Sequence, residues 1–116
     1  MRTAAACAVF VLLAAATPAR AEEDCSRSVV QTDINLCMQH NFEEADAELN
    51  RVWKALPQET RDKLREDERH WITSRDIACK REAAESEGGS IYPTEFYGCL
   101  EERTLKRIKE LRAQQP

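Results

Sequence analysis

This 116-residue chain has no C-x-x-C pair, so thioredoxin-type thiol exchange has no motif to act through. It has no H-E-x-x-H either, and its two histidines, His40 and His70, lie far apart. His40, Glu43 and Glu44 fall at i, i+3 and i+4 on one helix surface, but no third metal ligand stands in an obvious place, so a solvated surface is the simpler reading. Ser90 follows Gly88-Gly89 without the G-x-S-x-G elbow that would expose it as a nucleophile. Strand-like alternation and internal repeats are both missing. With no triad, motif or ligand set, the chain is expected to hold no catalytic centre, metal or cofactor, and to bind rather than to catalyse.

Long apolar runs are also scarce. The longest, Ala4 to Ala16, has 13 residues, too short to span a bilayer comfortably. Arg2 precedes it, Thr17-Pro18 ends it, and Ala19-Arg20-Ala21 supplies an A-x-A cleavage site. A lipoprotein would need cysteine directly after the cut, but Glu22 stands there and Cys7 lies too early. Residues 1–21 therefore read as a signal peptide and residues 22–116 as one domain, periplasmic or secreted, with no membrane attachment after cleavage. Removing residues 1–21 takes away Arg2 and Arg20 and no acid, so the formal charge moves from −4 to −6 over 95 residues. That acidity argues against nucleic acid or an anionic membrane as partner and favours basic ones. A chain of this length has a thin core, and exported domains of that kind commonly rely on staples; four cysteines remain to provide them.

What is present reads as helix. From Thr32-Asp33, the residues Ile34, Met38, Phe42, Ala45, Leu49, Val52 and Leu56 step by three and four, an amphipathic stripe. Pro57 interrupts it and suits a new first turn, where Gln58 and Glu59 follow. The second helix carries Leu64, Trp71, Arg75, Ala78 and Cys79, is expected to fray near Glu87, and stops at Gly88-Gly89. Ser90 to Pro93 reads as loop, and Thr94-Glu95 opens a third helix bearing Tyr97, Leu100, Thr104, Ile108 and Leu111. Residues 22–30 read as irregular and Ala113 to Pro116 as a frayed tail. The tight connection at Pro57 predicts an antiparallel helical hairpin with a third helix beside it, an all-α fold that gathers all four cysteines at one end.

Trp71, Arg75 and Cys79 share one helix stripe, so an aromatic, a cation and a sulfur point the same way. Arginine is rarely buried unpaired, and Asp46, Glu43 or loop carbonyls are the candidates to satisfy Arg75. Arg75 with Asp76 is more simply a core-lining ion pair than a catalytic one. Trp53 and Trp71 read as core, and Glu66-Asp67-Glu68 as a wet helix face. Trp71, Arg75, Asp76 and Cys79, then Gly88-Gly89-Ser90 and Cys99, resemble the second half of the lysozyme inhibitor LprI N-terminal domain family. Cys25 and Cys37, twelve residues apart, and Ala45-Asp46-x-x-Leu49-Asn50 resemble its first half, so the likeness runs from about residue 25 to 111. It implies a structural motif at Asp46, Asn50, Trp71, Arg75, Asp76, Gly88 and Gly89.

Four cysteines allow three connectivities, and spacing alone does not choose. Local closure favours Cys25–Cys37 and Cys79–Cys99, each contributing about 3 kcal/mol in the chain-entropy model. The resemblance supports that pairing, since the family's cysteines form two local modules; Cys37–Cys79 with Cys25–Cys99 is the alternative. The resemblance further implies inhibition of lysozyme or a related muramidase and protection of peptidoglycan. A structural or accessory envelope protein, binding another exported protein or a peptidoglycan fragment, is the second reading. For an inhibitor, the candidate contact loop is Glu87 to Tyr92, with Ser90 and Tyr92 its probes; a plain helix connection is the simpler account of that loop.

Overall fold

The computed structural model describes residues 22–116. The signal peptide expected at residues 1–21 lies outside them. Three helices make up the fold: α1 (Gln31–Ala55), α2 (Gln58–Glu82) and α3 (Tyr92–Arg112). Single 3-10 turns lie at Cys25–Arg27 and Ala84–Ser86, and among the described residues there is no strand.

The elements form where hydrophobic period and turn chemistry agree. Pro57 caps the start of α2, and Leu56 ends α1 with its N–H bonded back to the Trp53 carbonyl. Two boundaries differ from the sequence reading. Helix α2 stops at Glu82, because the chain tightens into the Ala84–Ser86 turn, with Ala83 buried beneath it. Helix α3 begins at Tyr92 rather than Thr94, since Pro93 occupies its first turn, where a missing N–H costs nothing and φ is already helical. Between them Gly88 takes φ +82°, a left-handed conformation that glycine adopts without a Cβ penalty.

Cross-helix contacts set the directions. Asp46 meets Arg75 across α1 and α2, which run antiparallel. Gln31 meets Thr94, and Glu48 meets Arg112, so α1 and α3 run parallel. Glu82 pairs with Arg103 and Glu68 with Arg107, so α2 and α3 are antiparallel. The hairpin-plus-third-helix arrangement is present, but its closest backbone packing joins α1 to α3 rather than α1 to α2. Side-chain volume explains this. At Gly98 of α3 an added Cβ would sit 2.9 Å from the tip of the Met38 side chain of α1, so the missing side chain favours that approach, although the flexible methionine tip can give way to a small one. Between α1 and α2 the large side chains of Trp53, Trp71 and Arg75 keep the backbones apart.

The apolar core lies at the Pro57 end, where Leu49, Val52, Leu56, Ile108 and Leu111 are buried and Trp53, Leu64 and Trp71 pack against them. Toward the other end apolar burial gives way to covalent and polar fastening. Disulfides Cys25–Cys37 and Cys79–Cys99 join, respectively, the N-terminal segment to α1 and the last turn of α2 to α3. The alternative pairing through Cys37–Cys79 is thereby excluded.

Candidate functional site

Arg75 stands where the three helices meet, only 7% exposed. Its Nε donates to Asp76 Oδ1 at 2.9 Å, and one terminal nitrogen donates to Asp46 Oδ1 at 3.0 Å and Thr104 Oγ1 at 3.2 Å. The Thr104 hydroxyl, fully buried, donates in turn to the Leu100 carbonyl at 2.6 Å. The guanidinium lies 5.2 Å from the Phe42 ring centre and 5.3 Å from that of Trp71. Of the partners the sequence offered, Asp46 and Asp76 hold Arg75; Glu43 instead accepts a bond from Gln39 on the surface. Both aspartates are half-exposed, so each keeps solvent on one side while its bonded oxygen serves the buried cation.

A second knot went unseen in the sequence. Arg107 of α3 bonds Glu68 at 2.7 Å and 2.9 Å, Asp67 at 3.3 Å and Glu110 at 3.1 Å, and lies 5.5 Å from the Trp71 ring centre. Glu68 is buried, which corrects the reading of Glu66-Asp67-Glu68 as a uniformly wet face; Glu66, paired with Arg69, and Asp67 keep to the surface. The available signal was a basic residue on α3 one turn beyond Thr104, but nothing in the sequence says which acid faces it. Asn41 was also missed. It is buried in α1 and grips the chain before it: the Glu23 N–H donates to its Oδ1 at 3.1 Å, and its Nδ2 donates to the Glu23 carbonyl at 2.9 Å.

The loop between α2 and α3 is short and fastened on both sides. Ser86 donates to the Ala83 carbonyl and to the Glu95 carboxylate. The Gly89 N–H returns to the Ser86 carbonyl at 2.9 Å, and the Ser90 carbonyl accepts from Asn35 Nδ2 at 2.8 Å. Asn35 in turn accepts from Gln31 and Thr94, so α1 sets the loop's position. Tyr92 is not at the loop's tip: it belongs to α3 and stacks on Phe96, ring centres 5.6 Å apart. Residues 87–91 are all exposed there, Ile91 at 46%. Asn50 is exposed and, with Asp46, Trp53 and Arg75, lines a shallow groove between α1 and α2. Gly88 and Gly89 are exposed, whereas Trp71 is half-buried between the two arginine knots.

These placements bring Asp46, Trp71, Arg75 and Asp76 into one cluster, and set Ser90 with Tyr92 apart from it at the α2–α3 connection. Among the described residues no group of three or more His, Cys, Asp or Glu is placed to hold a metal ion, and no helix is long and apolar enough to cross a membrane. The molecule is a small disulfide-stapled helical domain whose buried Arg75 and Glu68 are both held in ion pairs. A family model described as lysozyme inhibitor LprI matches residues 21–111, and the chain belongs to that family, an inhibitor family rather than a known family of enzymes. An uncharacterized protein of Rhizobium meliloti (strain 1021) is 35% identical, over 94% of this chain and 93% of its own length. No solved structure matches.

Proposed function

We propose that the chain is exported, loses residues 1–21, and binds a lysozyme-type muramidase outside the cytoplasm so as to block its action on peptidoglycan. The family match over residues 21–111 carries this reading. Two properties of the chain support it. The two disulfides suit an oxidising compartment. A formal charge of −6 on residues 22–116 suits a basic enzyme, drawing it in by long-range attraction.

The α2–α3 connection is the surface we assign to the contact. Its hydrogen bonds hold it in one conformation before any partner arrives, so little ordering entropy is lost on binding. Ser90 and Ile91 face outward on it, and Tyr92 behind them gives it a firm aromatic base. The decisive measurement is hydrolysis of cell-wall substrate by a lysozyme titrated with the purified protein. Loss of turnover at a stoichiometric ratio is expected. Capture of a different envelope protein, with turnover untouched, would instead identify an accessory envelope component.

A further inference from the structure

A cavity of about 730 Å³ opens between α1 and α3 beneath the N-terminal segment. Its charges sort by position along the two parallel helices. Toward the helix C-termini, Arg51 and Arg112 both bind Glu48, at 2.8 and 2.7 Å, and Lys109 stands on the same stretch of α3. Toward the N-terminal side, Glu22, Glu23 and Glu101 line it, with His40 and Glu44 from α1. Glu101 is the anomaly. It is 6% exposed, and among the described residues no donor reaches its Oε2. Buried carboxylate oxygens normally have partners, because dehydrating one without a hydrogen bond is costly. Its one close neighbour is a second acid: burial first, then a side-chain hydrogen bond with the Glu22 carboxyl, which needs a shared proton, and then the charge of that carboxyl push Glu101 up to about 7. Lys109 lies two helical turns further on, about 12 Å along the axis, so it cannot relieve Glu101.

The position of Glu22 is itself fixed. Asn41 holds both the N–H and the carbonyl of Glu23, and the Cys25–Cys37 disulfide pins the chain two residues later. Glu22 is also the residue that the A-x-A site would make first. Hydrolysis of the Ala21–Glu22 peptide bond by a signal peptidase adds one water. The carboxylate leaves with Ala21, and the nitrogen, protonated at neutral pH, stays on Glu22 with three N–H donors. By bond lengths that nitrogen lies within about 5 Å of the same residue's carboxyl group, the one beside Glu101.

The geometry points to the Glu101 end of this cavity as a binding site for a primary ammonium, and to the α-ammonium of Glu22, created by signal-peptide removal, as its occupant. The site rests on the export reading above for its natural occupant. It makes processing a step in folding: before cleavage the buried carboxyl has an amide and a second acid for company, and after cleavage it has a cation. A chain with a blocked Glu22 nitrogen keeps Glu101 raised above its ordinary 4.5. The folded state then holds a proton that the unfolded state has lost between those values. Stability from this group is therefore full below about pH 4.5 and is lost as pH rises through about 7. The free ammonium favours the carboxylate and removes most of that loss.

Three measurements test this. Mass spectrometry of the exported protein should place its N-terminus at Glu22; any other terminus overturns the maturation step. Thermal melting should compare the chain beginning at Glu22 with the same chain carrying a neutral Gly-Ser-Gly-Ser extension. At pH 7 the Glu22 form should melt about 4–8 °C higher, the response of a small domain to one good contact. The gap should narrow at pH 4.5 and vanish when both forms carry Glu101→Gln. Equal melting in the parent pair, or a gap that survives Glu101→Gln, overturns the ammonium site even where export and muramidase inhibition hold. The α-amine should titrate above its ordinary range of about 7.7–8.0 in the parent and within it in Glu101→Gln.

Discussion

Arg75 and Arg107 both set a guanidinium over the Trp71 ring, yet their partners differ in a way that predicts unequal costs. Arg75 is paired with half-exposed aspartates, which water can take over if the cation goes. Its removal takes one donor from the Thr104 hydroxyl, which keeps its bond to the Leu100 carbonyl, and loses the packing over Phe42. Arg75→Ala should therefore lower stability by about 1–3 kcal/mol, read as a shift of the urea midpoint. A variant that melts like the parent but loses its partner would make Arg75 a contact residue instead. Among the described residues, Arg107 is the sole cation bound to Glu68, a buried acid. Arg107→Ala leaves that charge alone in the interior and should cost about 3–5 kcal/mol, with Glu68→Gln restoring part of the loss. If Arg107→Ala is no worse than Arg75→Ala, the burial of Glu68 does not matter energetically.

At the scale of the elements, each helix end away from Pro57 is held by something other than apolar area. The Cys79–Cys99 disulfide fastens α2 to α3 beside a loop already held by hydrogen bonds, and Cys25–Cys37 fastens a segment with no buried apolar residue of its own. Replacing Cys79 and Cys99 together by serine should cost about 3 kcal/mol by loop-closure entropy, somewhat more if the buried Cys79 site accepts a hydroxyl poorly. Differential scanning calorimetry under reducing and oxidising conditions checks this; a reductant-insensitive melting point would contradict it. Helix α3 depends on Gly98 in another way. A Cβ at Gly98 meets the flexible tip of Met38, so Gly98→Ala should cost little, while the bulk of Gly98→Leu should force local repacking at about 1–3 kcal/mol, read as a shift of the urea midpoint.

For the whole molecule, net charge and the α2–α3 connection should govern different steps of binding a basic muramidase. Attraction acts over the Debye length, about 10 Å at 0.1 M salt, and so sets the association rate. The connection acts only in contact and sets dissociation. Glu85→Lys with Glu102→Lys, both exposed acids near the connection, should slow association and flatten its salt dependence. Ile91→Ala or Tyr92→Ala should speed dissociation at unchanged salt slope. Surface plasmon resonance at two salt concentrations separates the two. Loop variants that bind like the parent would rule the connection out as the contact surface.

The sequence by itself determined the number and type of elements, because a stripe repeating every three to four residues and a proline after Leu56 admit little besides two helices and a turn. It determined that Arg75 needed an acid or loop carbonyls opposite it, since a buried guanidinium without acceptors is too costly, and local closure with the family likeness pointed to the disulfide pairs. Tertiary structure decided which acid answers which base. Asp46 meets Arg75, and Glu68 meets Arg107, from distances in sequence that no helical period encodes. It also decided that α3 rather than α2 lies closest to α1, with Gly98 set against the Met38 side chain, and that Glu101 is buried beside Glu22. Periodicity tells a residue which face of its own helix it occupies; only packing tells it what stands opposite.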